Sequence, residues 1–260
     1  MQLYACLESI DHFIIETGHK TVIYRASSKE YEHAYKIVQK DFPHVEFKKQ
    51  SKTPARDFKK LVLESIFSDY FPSPYVTFLV DDDIVKESVD LKECCRYLEL
   101  YQAYAFYLRL GLHVDICYSE NFYQGIPPLL ELENGVYLWK INEGKGDWNY
   151  PNTVEMTIYR KSEIEPILRA LRFTNPNTLE ARWASQVDPQ WMGLCFKNSK
   201  VVNIPLNIVN ETWANRNQQS HTPRELLKKF IRGWKLDICP LFGIHNRSAH
   251  MEHDFQFIRR

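Results

Sequence analysis

The sequence predicts an α/β domain built on a doubly wound, largely parallel sheet. Three observations point there. Short β-rich runs alternate with amphipathic helical segments through the first half of the chain. One run, Tyr75–Val80 (YVTFLV), is apolar at nearly every position, the pattern of a strand in the middle of a covered sheet. The 260 residues, 44% of them hydrophobic, suffice for one substantial core.

Taken in order, Gln2–Phe13 is predicted helical, with Leu3, Cys6, Leu7 and Ile10 on one face. Thr21–Arg25 (TVIYR) is a short strand. Ser27 and Glu30 have capping-box spacing ahead of an apolar stripe of Tyr31, Ala34, Tyr35 and Val38, and Pro43 stops that helix. Val45–Phe47 is the next strand. Asp57 opens a helix presenting Phe58, Leu61, Val62 and Ile66. The second half is less regular. Ala103–Leu110, Val136–Lys140 and Val154–Arg160 read as strands, and Ser162 with Glu165 as a capping box. Val201–Val209 carries Pro205, which suits an edge strand. Asn210–His221 is a polar loop, and Pro223–Lys235 a helix. The expected division is a body of residues 1–221 and a packed helix and tail of residues 222–260.

Composition narrows the function classes. Thirty-three basic residues balance thirty-three acidic ones, so bulk attraction gives no argument for a nucleic-acid partner. No two of the six cysteines have zinc-knuckle spacing, which leaves reduced thiols in a cytosolic protein. The N-terminal residues lack a basic start, and no apolar run is long enough to span a bilayer.

The chemistry concentrates at Asp81, Asp82 and Asp83, directly after the apolar strand. Ligands of open α/β sheets collect beyond the carboxyl ends of strands. Three adjacent carboxylates repel one another unless a cation neutralises them, and hard oxygen donors suit Mg²⁺ or Mn²⁺. The competing reading is a solvated acidic turn leading into the next helix.

Phe78-Leu79-Val80-Asp81-Asp82-Asp83-Ile84 resembles the Asp-x-Asp strand end of glycosyltransferases with the GT-A fold. The chain as a whole resembles bacterial family-2-like members over about residues 1 to 210. MQLYACLESI is similar to the helix after their first strand, and TVIYRASSKEY to their second strand and turn. DWNYPNTVEMTIYR and NPNTLEARW are similar to their acceptor-side segments. The resemblance implies a mixed, mostly parallel sheet flanked by helices. That family begins with a strand ending in a polar-Arg-Pro turn, and this sequence opens on the helix that follows it. The expectation is a first strand missing or displaced, leaving a gap in the sheet or a nucleotide pocket open on that side.

The resemblance also implies roles. Asp83 is expected to bond the Mn²⁺ or Mg²⁺ directly. Asp81 would contact the ribose or the ion's surroundings, and Asp82 would support either. Tyr24 and Arg25 fall where the family contacts the nucleoside. A histidine from a late loop, here His221, is expected as a further metal ligand. Asp57 and Lys59 are candidates for the base or diphosphate, and surface positions are their competing reading. If the reaction inverts configuration, a carboxylate must take the acceptor proton; Glu180 is preferred and Glu155 is second. Glu180 also has capping-box spacing from Asn177. Trp148 is either a sugar platform or core. His250 and His253, with Asp254, would share a helical face able to bind zinc, against a solvated tail.

The expected substrates are a nucleotide-sugar donor, UDP-linked by preference, and a glycan or lipid-linked acceptor. The expected location is cytoplasmic. The basic amphipathic helix 223–235 would either touch the membrane's inner face or pack on the domain. A degenerate GT-A domain kept for binding or scaffolding, and a nucleotidyltransferase, are the alternatives.

Overall fold

The computed structural model describes all residues except 16, 17, 207–215, 217 and 219. Its principal elements run as follows: α1 (Gln2–Phe13), β1 (Thr21–Tyr24), α2 (Lys29–Asp41), β2 (Glu46–Lys49), α3 (Pro54–Phe67), β3 (Tyr75–Phe78), β4 (Asp83–Val85) and α4 (Leu91–Tyr101). Then come β5 (Ala105–Tyr107), β6 (Leu130–Glu131), β7 (Val136–Lys140), β8 (Thr157–Arg160), α5 (Lys161–Ala170) and α6 (Pro176–Trp183). The chain continues with β9 (Met192–Phe196), β10 (Val201–Asn203), α7 (Pro223–Ile231), β11 (Trp234–Leu236) and β12 (Phe257–Arg259).

The fold is mixed α/β around a six-stranded sheet ordered β6-β7-β9-β5-β8-β3. It is not mostly parallel. Only the pairing of β9 with β5 is parallel; every other pairing in this sheet is antiparallel. Alternation of strands and helices suggests parallel pairing only where each crossover returns to the same sheet. Here β1 and β2 pair in parallel with each other, as a separate two-stranded sheet. Nor is Tyr75–Phe78 a central strand. It pairs with β8 alone among the described residues and forms the end of the six-stranded sheet. Between this edge and β1 lies a cleft of about 570 Å³, lined by Leu7, Val22, Tyr24, Phe58, Phe78 and Asp81 among others.

Local rules account for most of the helices. In α1, Cys6, Leu7 and Ile10 are buried together, and in α3 Phe58, Val62 and Ile66. Each full burial of such a side chain contributes about 1.5–3 kcal/mol. The cap of α2 is Ser28, whose hydroxyl accepts from the Tyr31 N–H, one residue later than the spacing of Ser27 suggests. Helix α5 has no side-chain cap at all, so the Ser162–Glu165 spacing is not used. In α6 the capping box is Asn175 with Thr178, which frees Glu180 from that duty. Helix α7 begins with a Thr222–Glu225 capping box. It stops at Ile231 because Gly233 takes φ +85°, and Trp234–Leu236 continue as a strand. Gly193 is required where β9 faces β7: a Cβ there would lie 2.5 Å from the Trp139 ring.

Residues 222–260 pack against the rest. Leu226, Leu236, Leu241 and Phe255 share an apolar cluster with Ala5, Ile84 and Val202. Leu226 and Phe230 are buried, with α7 lying on α2, so that apolar face is taken up by packing. The His-rich tail is not helical. His250 pairs as an isolated bridge with Asn203, His253 packs edge-on against Phe255, and His245 lies against His113. No helix among the described residues is long and apolar enough to cross a membrane. The part of the expected Val201–Val209 strand from residue 207, and residues 210–215, 217 and 219 of the polar loop, lie outside the described residues.

Candidate functional site

The site is assembled by register. In the antiparallel β3–β8 pair, Phe78 faces Thr157 and Tyr75 faces Arg160. Chain leaving the end of β3 therefore runs beside chain about to enter β8, and Asp81–Asp83 meet the segment 152–156. A turn closes the acidic run, with the Asp83 N–H donating to the Val80 carbonyl at 3.2 Å. Asp83 then starts β4, which pairs with β10 so that Asp83 stands opposite Asn203.

The three aspartates differ in setting. Asp81 is exposed on the wall of the cleft, Asp82 is half-buried and Asp83 is buried. Asp83 Oδ2 accepts from the Val80 N–H at 3.0 Å, and Oδ1 accepts from Asn203 Nδ2 at 3.0 Å. The same Asn203 amide donates to Asp82 Oδ1 at 3.1 Å. Both oxygens of the residue expected to bond a cation are thus engaged in holding the turn. Asp81 and Asp82 are the more open carboxylates.

Glu180, from α6, and Glu155, just before β8, complete the acidic group. Glu180 Oε1 accepts from Thr153 Oγ1 at 2.7 Å and from the Val154 N–H at 3.1 Å. Thr153 Oγ1 in turn accepts from the Glu155 N–H at 3.1 Å. Glu155 Oε1 lies 2.9 Å from His250 Nε2. Met156, next in the chain, is buried with φ +30°, a left-handed conformation costing about 1–3 kcal/mol for a residue other than glycine. The adjoining 147–152 segment is fixed by buried Arg109, which donates to Asp147 Oδ1 at 3.0 Å and to the carbonyls of Asp147 and Tyr150.

Electrostatics follow from this crowding. Burial, then repulsion from Glu155 and Asp82, holds the Asp83 carboxyl well above its ordinary range. Burial, Asp81 and Glu155 push Asp82 up to about 7. Asp81 keeps contact with water, and the protein around it still raises its pKa against the pull of the Met1 amine. Glu180 is raised by burial and by the charge of Glu155. Glu155 is the exception. Burial would raise it, but the attraction and hydrogen bond of His250 bring it below its usual value. Burial would lower His250; Glu155 overcomes this and raises it to about 9. The site therefore holds one strong ion pair among carboxylates that resist ionising together.

The other residues singled out by sequence fall in several places. Tyr24 and Arg25 line the cleft together with Tyr35 and Asp81, and the Tyr24 ring packs on Tyr35 at 4.2 Å. Asp57 accepts from the Ser51 N–H, and Lys59 donates to the carbonyls of Arg169 and Leu171 at 2.7 Å, tying α3 to the end of α5. His221 lies edge-on against Phe257, 5.2 Å between centroids. Trp148 is core: it is fully buried and its indole N–H donates to the Val114 carbonyl. Sequence reasoning missed Asn203, Thr153 and the pairing of His250 with Glu155. Only the expectation of a late histidine hinted at the last.

Among the described residues no three His, Cys, Asp or Glu side chains stand grouped to hold a metal ion. Magnesium-like ions commonly take only one or two carboxylates, the rest of the shell being water and substrate phosphate. Asp81 lines the cleft, and half-buried Asp82 follows it in the chain.

No protein-family model matches the chain. Over 159 residues, 58% of its length, it is 30% identical to the bifunctional glycosyltransferase pgtA of Dictyostelium discoideum. The matched stretch spans 20% of that protein. The chain is thus similar, over more than half its length, to part of a much longer glycosyltransferase.

Proposed function

We propose that this chain transfers a glycosyl group from a nucleotide-sugar donor, UDP-linked by preference, to a hydroxyl of a glycan or lipid-linked acceptor, with inversion. The observation that carries this reading is the meeting of two groups in one hydrogen-bonded site. One is Asp81 on the cleft wall with half-buried Asp82 beside it; the other is Glu155 ahead of β8 with Glu180 of α6. The similarity to pgtA supports it.

Asp81 and Asp82 are the residues that would hold Mn²⁺ or Mg²⁺. When bound, such an ion supplies positive charge for the leaving diphosphate. Tyr24, Tyr35 and Arg25 offer aromatic faces and one cation on the cleft wall for a nucleoside and its phosphates. Asp83 keeps the turn in place through the Val80 N–H and Asn203. Glu180 takes the proton from the acceptor hydroxyl. Its raised pKa makes it a stronger base than an ordinary glutamate, and Oε2 makes neither of its two bonds to the 153–154 segment.

Calorimetry with UDP, GDP and CDP, with and without Mn²⁺, tests the reading. Metal-dependent binding of one of the three is the expected result. Absence of any nucleotide binding would favour a scaffolding domain and overturn the proposal.

A further inference from the structure

The site contains a continuous chain of contacts from the Asp82–Asp83 turn to Glu180, and one residue from near the C-terminus stands in its middle. The Asn203 side chain binds Asp82 and Asp83, at 3.1 and 3.0 Å. The Asn203 backbone binds the segment around residue 250: its N–H donates to the Ala249 carbonyl at 2.9 Å, and its own carbonyl accepts from the Met251 N–H at 3.0 Å. His250 lies between those two bonds. Its imidazole reaches Glu155, the Glu155 N–H reaches Thr153 Oγ1, and Thr153 reaches Glu180.

The segment bearing His250 is itself tightly held. The Arg247 carbonyl accepts from the N–H groups of Asp115 and Ile116, both at 3.0 Å, and the Arg247 guanidinium pairs with the Asp115 carboxylate. Ser199 Oγ donates to Asn246 Oδ1, and the Asn246 amide donates to the Ser248 carbonyl. Such fixation matters because the opposite partner is not relaxed. Met156 is held at φ +30°, a conformation that persists only where its surroundings impose it. The His250–Glu155 bond acts on the residue directly before that strained one.

We propose that His250 is a positioning residue for the acceptor-side base. Through Glu155 it locks the 153–156 turn, and so fixes the Thr153 hydroxyl and Val154 N–H that orient Glu180, in register with the Asp81–Asp83 turn. This rests on the glycosyl-transfer reading for its catalytic consequence, but the locking itself does not. His250 touches neither donor nor acceptor in this scheme. Its loss should reduce turnover and leave donor binding intact.

Two measurements separate the claims. The first needs no activity: amide hydrogen exchange at Val154 and Glu155 in His250→Ala and in the wild type. Exchange there should accelerate by about tenfold or more in the variant, while the Asp83 amide stays protected. Unchanged exchange at residues 154 and 155 overturns the proposal. So does a uniform acceleration over the whole chain, which is the signature of general destabilisation. The second measurement is kinetic. His250→Ala should lower kcat by about 10–100-fold with donor KM within about twofold of the wild type, and added imidazole should restore part of the loss in His250→Gly. Loss of donor affinity in place of turnover would overturn it. If the wild-type protein binds no nucleotide and transfers no sugar, the function proposed above fails, and the exchange result still decides the role of His250.

Discussion

Replacing His250 by glutamine removes the cation that faces Glu155 while keeping a side chain able to donate a hydrogen bond. Both partners are largely enclosed, with side-chain exposures of 15% and 18%, so solvent screens the pair little. The imidazole is raised from 6.5 to about 9: burial opposes charge, Glu155 outweighs it, Asp147 adds to the rise and Arg109 subtracts. At about 1.36 kcal/mol per pH unit, that rise corresponds to roughly 3 kcal/mol of stability, counted once for the pair. A folded pKa above the unfolded one stabilises fully below pH 6.5, and the contribution disappears as pH rises through 9. Urea unfolding of wild type and His250→Gln at half-unit steps from pH 6 to pH 10 measures this directly. The stability difference should be greatest near pH 6 and shrink steadily above pH 7. A difference constant across that range would show that His250 acts by shape alone and would refute the ion-pair argument.

Three further outcomes are expected. Asp81→Asn should abolish Mn²⁺-dependent nucleotide binding in calorimetry while leaving the melting temperature nearly unchanged, because Asp81 is exposed at the cleft. Asp83→Ala should instead destabilise the fold by about 1–3 kcal/mol, read by urea unfolding, since it strands the Val80 N–H and weakens the hold on Asn203. Glu180→Gln should preserve donor binding and lower turnover by ~10²-fold or more; near-normal transfer with an inactive Glu155→Gln would move the base to Glu155.

Much was legible in the sequence because it depends on neighbours along the chain. The helices α1, α2 and α3 follow from apolar spacing alone, and the buried residues fall on the expected faces. Asp81–Asp83 stood out because three like charges directly after an apolar strand are costly without a purpose. Glu155 and Glu180 were found as candidates by their place at element starts. The exact caps were less legible: several Ser, Thr and Asn residues near one helix start compete, and spacing alone does not choose between Ser27 and Ser28, or between Asn175 and Asn177.

Strand direction and partnership lay beyond the sequence. Each strand here is short, and a run such as TIYR carries the same pattern whether its neighbour is parallel or antiparallel. The antiparallel β3–β8 register, set by packing over the whole sheet, is what brings residues 81–83 to residues 153–156. The same holds for His250. Ninety-five positions separate it from Glu155, and no local rule links them. Sequence determined which residue types were available and which helical faces would be buried. Tertiary structure alone decided that Asp83 is buried against the Val80 N–H and Asn203, that Asp81 is exposed on the cleft wall, and that a histidine near the C-terminus pairs with Glu155. Those outcomes depend on distances between remote segments, and electrostatic and hydrogen-bond energies fall away within a few ångströms.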